Sequence, residues 1–71
     1  MSAAHIRITL DGEPVSLPDP ATIGDLLRER ALPEALLSVA RNGVVVSRSR
    51  YEETLLEDGD ELVAVVQVGG G

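Results

Sequence analysis

The chain of 71 residues contains no cysteine, no lysine, no tryptophan and no phenylalanine, and it has a single histidine and a single tyrosine. The missing thiols exclude a disulfide scaffold, a thiolate metal site and a cysteine nucleophile. One imidazole cannot build a multi-histidine metal site. No apolar run approaches the roughly 18 residues that a membrane-spanning helix needs, so we expect no membrane segment.

Basic residues are also scarce, since six arginines face twelve acidic residues and the net charge is −6. This balance argues against nucleic acid or an anionic membrane as the main partner, because an acidic protein gains nothing from counterion release. Hydrophobic residues make up 44% of the chain, which is typical of one folded domain with little room for a deep catalytic cleft. No basic segment followed by an apolar stretch opens the sequence, so we predict no signal peptide and a cytoplasmic location.

The first half of the chain predicts a β-hairpin followed by a helix. Residues 5–10 alternate Ile and Leu with polar residues, as in a strand with one buried face. An Asp-Gly turn then leads into a second strand over 14–17. Thr22 is a good N-cap for a helix that ends near Arg30, just before a proline.

The second half predicts another hairpin and one short turn. Strands over 36–41 and 44–46 flank an Asn-Gly pair, whose residues readily adopt the positive φ angles of a type I′ turn. The polar segment 47–54 is expected to hold one helical turn with Ser49 as its cap.

The last predicted strand, 61–68, is apolar on both faces, which is typical of a strand in the interior of a sheet. Val63 and Val65 share one face, and the even-numbered residues share the other. A register slip of one residue would exchange the two faces, so the pattern leaves open which face meets solvent. The order of elements predicts an α+β roll, with a mixed sheet of four to five strands packed on one main helix.

No residues are spaced for catalysis or metal binding. His5 lies on the polar side of the first strand, where we expect a solvated residue. Six acids cluster between residues 52 and 61, and a solvated surface is their expected role. These acids are Glu52, Glu53, Glu57, Asp58, Asp60 and Glu61. Because no nucleophile–base pair is present, the sequence predicts neither an enzyme active site nor a metal site.

Three glycines, Gly69, Gly70 and Gly71, directly follow the last strand. A segment without side chains can enter a channel that admits only backbone, and three extended residues reach about 10 Å. We therefore predict a globular domain over 1–68 and a flexible tail over 69–71 that carries a carboxylate into the active site of a partner. A frayed terminus or an expression scar is the alternative interpretation.

The tail hypothesis makes two demands on the rest of the molecule. An ionised carboxylate is a poor electrophile, so the acyl carbon must first gain a leaving group, as adenylation would supply. Ordering three residues costs roughly 3–6 kcal/mol, so the tail cannot supply the affinity by itself. We expect the folded body to dock through Val63 and Val65, if their side of the last strand is open.

The order of elements, the Arg41-Asn42-Gly43 hairpin, the segment RSRYEETLLEDGDEL and the terminal glycines resemble the ThiS family, the small β-grasp sulfur carriers of thiamine biosynthesis. The likeness covers residues 6–71. It implies a ubiquitin-like β-grasp fold and a carrier rather than a catalyst, with no cofactor bound by the chain itself. It also implies three partners: a ThiF-like adenylating enzyme that uses ATP and Mg²⁺, a persulfide sulfur donor, and a ThiG-like thiazole synthase.

The same resemblance implies roles for individual residues. Gly71 would be adenylated and converted to a thiocarboxylate, and Gly70 would complete the family's diglycine. Arg48 and Tyr51 match a basic and an aromatic position, which makes them further candidates for docking. From the residues themselves we expect Arg48 to be a solvated counter-charge and Tyr51 to pack beneath the loop with its hydroxyl in water, and docking is the alternative.

Two positions depart from the family pattern: Ser47 stands where proline is frequent, and Gly69 adds a glycine before the usual pair. Other functions remain open. Within the carriers, the small subunit of molybdopterin synthase or a carrier for another sulfur pathway is the alternative. From a different class, a ubiquitin-like modifier or a plain interaction module would share the fold. The free chain is expected to be a monomer.

Overall fold

The computed structural model describes residues 4–66, apart from the side chain of Glu34. It contains five strands, one α-helix and two short 3₁₀ helices. The strands are β1 (His5–Leu10), β2 (Glu13–Pro18), β3 (Leu37–Arg41), β4 (Val44–Val46) and β5 (Glu61–Val66), the helix is α1 (Ile23–Glu29), and the 3₁₀ helices span Glu34–Leu36 and Arg48–Arg50. None of the helices in this range is long and apolar enough to cross a membrane.

The five strands form one mixed sheet in the order β2-β1-β5-β3-β4. The central strand is β5, which runs parallel to β1 and antiparallel to β3. Helix α1 packs on one face of this sheet, which confirms the predicted α+β class and the β-grasp arrangement. The interior place of β5 agrees with its apolar character on both faces.

Both hairpins turn on residues with positive φ. Asp11 and Gly12 have φ of 52° and 85°, and Asn42 and Gly43 have 51° and 87°, as type I′ turns require. Their backbone twist matches that of the flanking strands, so each pair of strands continues without a bulge through the turn. The two predicted hairpins are therefore confirmed.

Helix α1 begins and ends as the sequence predicts. The Thr22 hydroxyl accepts a hydrogen bond from the Asp25 backbone, and the Asp25 carboxylate accepts one from the Thr22 backbone, so the two residues form a capping box. The C-cap is Arg30, and the next residue, Ala31, has a φ of 55° that stops the helix.

The hydrophobic core lies between α1 and the sheet and is aliphatic except for one tyrosine. Its buried members are Ile6, Ile8, Leu10, Val15, Leu17, Ala21, Ile23, Leu26, Leu27, Leu37, Val39, Tyr51, Leu56 and Leu62. They come from every strand except β4, so the core depends on contacts between segments that are distant in the chain.

Two details of the predicted elements are wrong, and one lies outside the described residues. Strand β3 begins at Leu37, because residue 36 ends the first 3₁₀ helix. Ser49 does not cap the second 3₁₀ helix but lies inside it, and Ser47 precedes it without a side-chain hydrogen bond. The predicted last strand reached residue 68, whereas the described residues end at Val66.

Candidate functional site

The face of the sheet opposite α1 carries exposed valines on its central and outer strands. Val45, Ala40 and Val63 lie side by side on β4, β3 and β5, and Val65 follows on β5. We call these four residues the open valine face. Val63 and Val65 are 47% and 57% exposed, while the alternating residue Leu62 is buried. The register therefore places the predicted docking pair in solvent.

Exposed apolar residues on a small acidic protein are informative, because isolated surface valines are common but a contiguous row on a sheet is not. The row spans three neighbouring strands, so one flat partner surface can contact it all at once. Val44 and Val66 are also exposed, but their places in the register put them on the side of the sheet that faces α1.

Arg48, the predicted basic docking residue, lies in the 3₁₀ helix that follows β4 and is exposed. Its neighbour Arg50 pairs with Glu53 at 3.7 Å, whereas no ion pair of Arg48 is present within residues 4–66. The guanidinium is thus accessible to a partner that approaches the β4 edge.

Tyr51 is not available for direct docking, because its side chain is only 1% exposed. Its hydroxyl accepts a hydrogen bond from the Val39 amide at 3.0 Å and donates one to the Leu37 carbonyl at 3.2 Å. The expectation of a hydroxyl in water is therefore wrong. The ring fills the core, and the hydroxyl bonds to β3 where its pairing with β4 ends, at Val39 and at Leu37 just beyond.

Asp60 is a second residue whose role the sequence did not reveal. It was expected on a solvated surface with the other acids, but it is 5% exposed. Its carboxylate accepts hydrogen bonds from Arg41 Nε at 2.8 Å, from Asn42 Nδ2 at 3.1 Å and from the Glu57 amide at 2.8 Å. Burial alone would raise the pKa of Asp60, but these three donors more than offset it and hold the pKa below its usual value.

The same contacts join the β3–β4 turn to the start of β5. Asn42 donates its backbone amide to the Glu61 carbonyl at 2.7 Å and accepts the Glu61 amide at 2.8 Å on its side chain. Asn42 is thus more than a turn residue, since it sets where β5 begins. The sequence signal for this cluster is the position of Asp60 directly before an apolar strand. No local pattern identifies Arg41 and Asn42 as its partners.

The remaining acids agree with the predicted solvated surface. Arg28 bridges Glu52 and Asp25 at 2.7 Å each, with all three side chains largely exposed. Hydrogen bonding to Arg28 lowers the pKa of Glu52, and the Thr22 amide together with Arg28 lowers that of Asp25. Within residues 4–66 no three ligand-type side chains are grouped to hold a metal ion.

The predicted attachment residue Gly71 and the tail residues Gly69 and Gly70 lie outside the described residues. The structure does describe β5, the strand that precedes these glycines in the chain. Because β5 runs parallel to β1, the last residues of both strands lie at the same end of the sheet, where the Asp11-Gly12 turn follows β1. Strand β5 therefore contributes to the open valine face and also precedes the glycines in the chain.

Comparison with known proteins gives consistent results. The model of the ThiS family matches residues 4–71. The sulfur carrier protein ThiS of Bacillus subtilis (strain 168) is 40% identical over 53 residues, which are 75% of this chain and 80% of that protein. A solved structure of the thiamine biosynthesis protein ThiS from Geobacter metallireducens superposes with a TM-score of 0.80 at 26% identity, over 93% of this chain and 100% of that one.

A longer relative is also found. A thiazole synthase of Paramagnetospirillum magneticum (strain ATCC 700264 / AMB-1) is 30% identical over 66 residues, which are 93% of this chain. The chain spans only 20% of the length of that synthase.

Proposed function

This chain belongs to the ThiS family, and from that premise we propose that it is a sulfur carrier protein of thiamine biosynthesis. In the proposed reaction a ThiF-like enzyme uses ATP and Mg²⁺ to adenylate the carboxylate of Gly71. A persulfide sulfur then attacks the acyl carbon and displaces AMP, and cleavage of the sulfur–sulfur bond by a thiol leaves a thiocarboxylate. The chain is the substrate of these enzymes and does not itself catalyse a step.

The observation that carries the proposal is the extent of the family match, which runs from residue 4 through the last glycine. A resemblance confined to the folded body would support only the β-grasp fold, because one fold hosts many functions. The chemistry of a carrier depends on the terminal glycines. The match therefore includes the residues that the proposed reaction uses.

The longer relative supports a proposal for the sulfur acceptor. A protein named thiazole synthase contains a region similar to nearly the whole of this chain. We therefore propose that a ThiG-like thiazole synthase accepts the sulfur from Gly71.

The folded body has a defined part in this scheme. The ordering cost of the tail, roughly 3–6 kcal/mol for three residues, must be offset by contacts elsewhere. Burial of apolar surface contributes about 25 cal/mol per Å², so a few valine side chains can supply a comparable free energy. The open valine face, which includes Val63 and Val65 of β5, is the proposed docking surface, with Arg48 at its β4 side.

Intact-mass measurement tests the carrier function directly. The full chain is incubated with a ThiF-like enzyme, ATP, Mg²⁺ and a persulfide donor, and the expected product has one oxygen replaced by sulfur. Fragmentation should locate the change at Gly71. A matched variant that lacks Gly71 should show no adenylate and no thiocarboxylate.

Two results would contradict the proposal. One is sulfur transfer to the variant without Gly71, because the reacting carboxylate would then not be the one proposed. The other is an amide adduct between Gly71 and lysines of other proteins without any sulfur intermediate, which would indicate a ubiquitin-like modifier.

A further inference from the structure

Strand β5 extends beyond the strand that pairs with it on one side. The last pair with β1 is Leu10 with Leu62, and the Asp11 amide adds one more hydrogen bond to the Leu62 carbonyl at 2.9 Å. On its other side, β5 continues to pair with β3 as far as Val66 with Leu37. The second half of β5 therefore has β3 as a neighbour on one side, whereas on its β1 side no strand of residues 4–66 pairs with it.

The backbone groups at this edge can be assigned from the strand period. The Ala64 amide faces the β1 side, where it donates to the Asp11 carboxylate at 3.2 Å. Because strand residues alternate in direction, the Ala64 carbonyl and the Val66 amide face the same side. Within residues 4–66 no strand or side chain hydrogen-bonds to these two groups.

This edge has the properties of a template for strand addition. Natural edge strands are usually protected by charged side chains, proline or a bulge. Among residues 4–66 the only protection here is the Asp11 carboxylate, which covers one amide, while the exposed side chains Val63, Val65 and Val66 are apolar and β-branched. A short extended segment could pair with the two free backbone groups and contact these valines from the side.

We propose that this edge, Ala64–Val66, receives an extended segment of the enzyme that activates the Gly71 carboxylate. The charge of the chain favours a partner over a second copy, because pairing two copies here would bring two Asp11 carboxylates together in a dimer of net charge −12, twice the −6 of one chain. An apolar segment flanked by a basic side chain complements both the valines and Asp11.

The added strand fixes where the last five residues start, and in this respect the inference rests on the proposed function. Five residues follow Val66, and five fully extended residues reach at most about 17 Å. Pairing at Val66 therefore keeps the Gly71 carboxylate within about 17 Å of the paired edge. An edge of two hydrogen bonds is weak enough to release the carrier after each cycle.

Substitution of Val66 tests the pairing. Val66→Pro removes the amide hydrogen on the side where no described residue uses it, a place where edge strands tolerate proline. We expect this variant to fold, and its affinity for the activating enzyme to fall about tenfold, from the lost hydrogen bond and the blocked approach of a strand. The matched control, Val66→Ala, keeps the amide and should retain most of the affinity.

Amide hydrogen exchange supplies a measurement that does not depend on a variant. In the free chain the Val66 amide should exchange quickly, and in the complex with the activating enzyme its exchange should slow at least tenfold. The Ser16 amide on β2, the outer strand that carries no residue of the open valine face, is the internal control and should not change. Slowed exchange at Ser16 instead of Val66 would overturn the inference.

The outcomes separate this inference from the proposed function. If the wild-type chain accepts sulfur but Val66→Pro binds as the wild type does and the Val66 amide stays unprotected, the inference fails and the carrier function stands. If the wild-type chain accepts no sulfur, the carrier function itself fails. If sedimentation shows a dimer of the isolated chain that Val66→Pro dissociates, a second copy is the occupant and the inference is overturned.

Discussion

At the scale of single residues, Tyr51 shows how a buried polar atom can replace a missing strand. Strand β4 has only three residues, and β3 continues past it. The Tyr51 hydroxyl then satisfies the Val39 amide and the Leu37 carbonyl, which would otherwise be buried without partners. Tyr51 is packed inside, as expected, but its hydroxyl completes the sheet instead of meeting water.

Removing this hydroxyl should destabilise the fold without changing its shape. Tyr51→Phe keeps the ring in the core but leaves two buried backbone groups without a hydrogen bond, and we expect a loss of about 1–3 kcal/mol in the free energy of unfolding. Urea denaturation followed by circular dichroism measures it. Thr54→Ala, which removes a hydrogen bond from an exposed hydroxyl to the Arg50 carbonyl, should cost less. Equal losses in the two variants would contradict the role assigned to Tyr51.

At the scale of elements, the Asp60 cluster joins the second hairpin to the central strand. Asp60 accepts hydrogen bonds from Arg41 and Asn42, which lie 19 and 18 residues earlier in the chain. Asn42 in turn holds Glu61, the first residue of β5. The turn and the start of β5 therefore form one hydrogen-bonded unit.

This cluster predicts a loss of stability in acid. The pKa of Asp60 is lowered in the folded state, so the folded state binds the proton less readily than the unfolded chain. The contribution is fully present above the unfolded pKa of about 3.9 and is lost as the pH falls through the lower folded value. Asp60→Asn should be less stable than the wild type at pH 7 by about 2 kcal/mol, and the difference should shrink toward pH 2.

Denaturation midpoints measured between pH 2 and pH 7 check this prediction. Glu57→Gln is the matched control, because Glu57 is exposed and its side chain takes no part in the cluster. That variant should follow the wild type across the range. A constant difference between Asp60→Asn and the wild type at every pH would show that the charge of Asp60 does not stabilise the fold.

At the scale of the whole molecule, the sheet separates two tasks. The face toward α1 supplies the core, and the opposite face presents the open valine face to a partner. The two apolar faces of β5 have different roles. Leu62 packs in the core, while Val63 and Val65 are exposed and belong to the proposed docking surface. The strand that stabilises the fold is therefore the same strand that leads into the proposed tail.

The two faces can be distinguished by substitution. Val63→Ser and Val65→Ser should leave the free energy of unfolding within about 0.5 kcal/mol of the wild type, while the affinity for a ThiF-like enzyme falls about tenfold or more through lost apolar burial. Val44→Ser is the matched control, because Val44 is 66% exposed on the other side of the sheet. Calorimetric titration measures the affinities, and an equal effect of all three variants would refute docking through the open valine face.

Local patterns in the sequence were sufficient to predict most elements. The alternation in residues 5–10, the Asp-Gly and Asn-Gly turns and the Thr22 cap all depend on residues that are close in the chain, and each was confirmed. The interior place of β5 also followed, because a strand that is apolar on both faces must be covered on at least one.

The tertiary structure decided what depends on distant residues. Which face of β5 meets solvent is set by its register with β3, and a slip of one residue would have reversed it. The burial of Tyr51 and Asp60 depends on partners 12 to 19 residues away. The period of the hydrophobic residues shows which side chains of a segment share a face. Only the packing of the whole chain decides which groups that face contacts, because hydrogen bonds and burial are properties of pairs of segments.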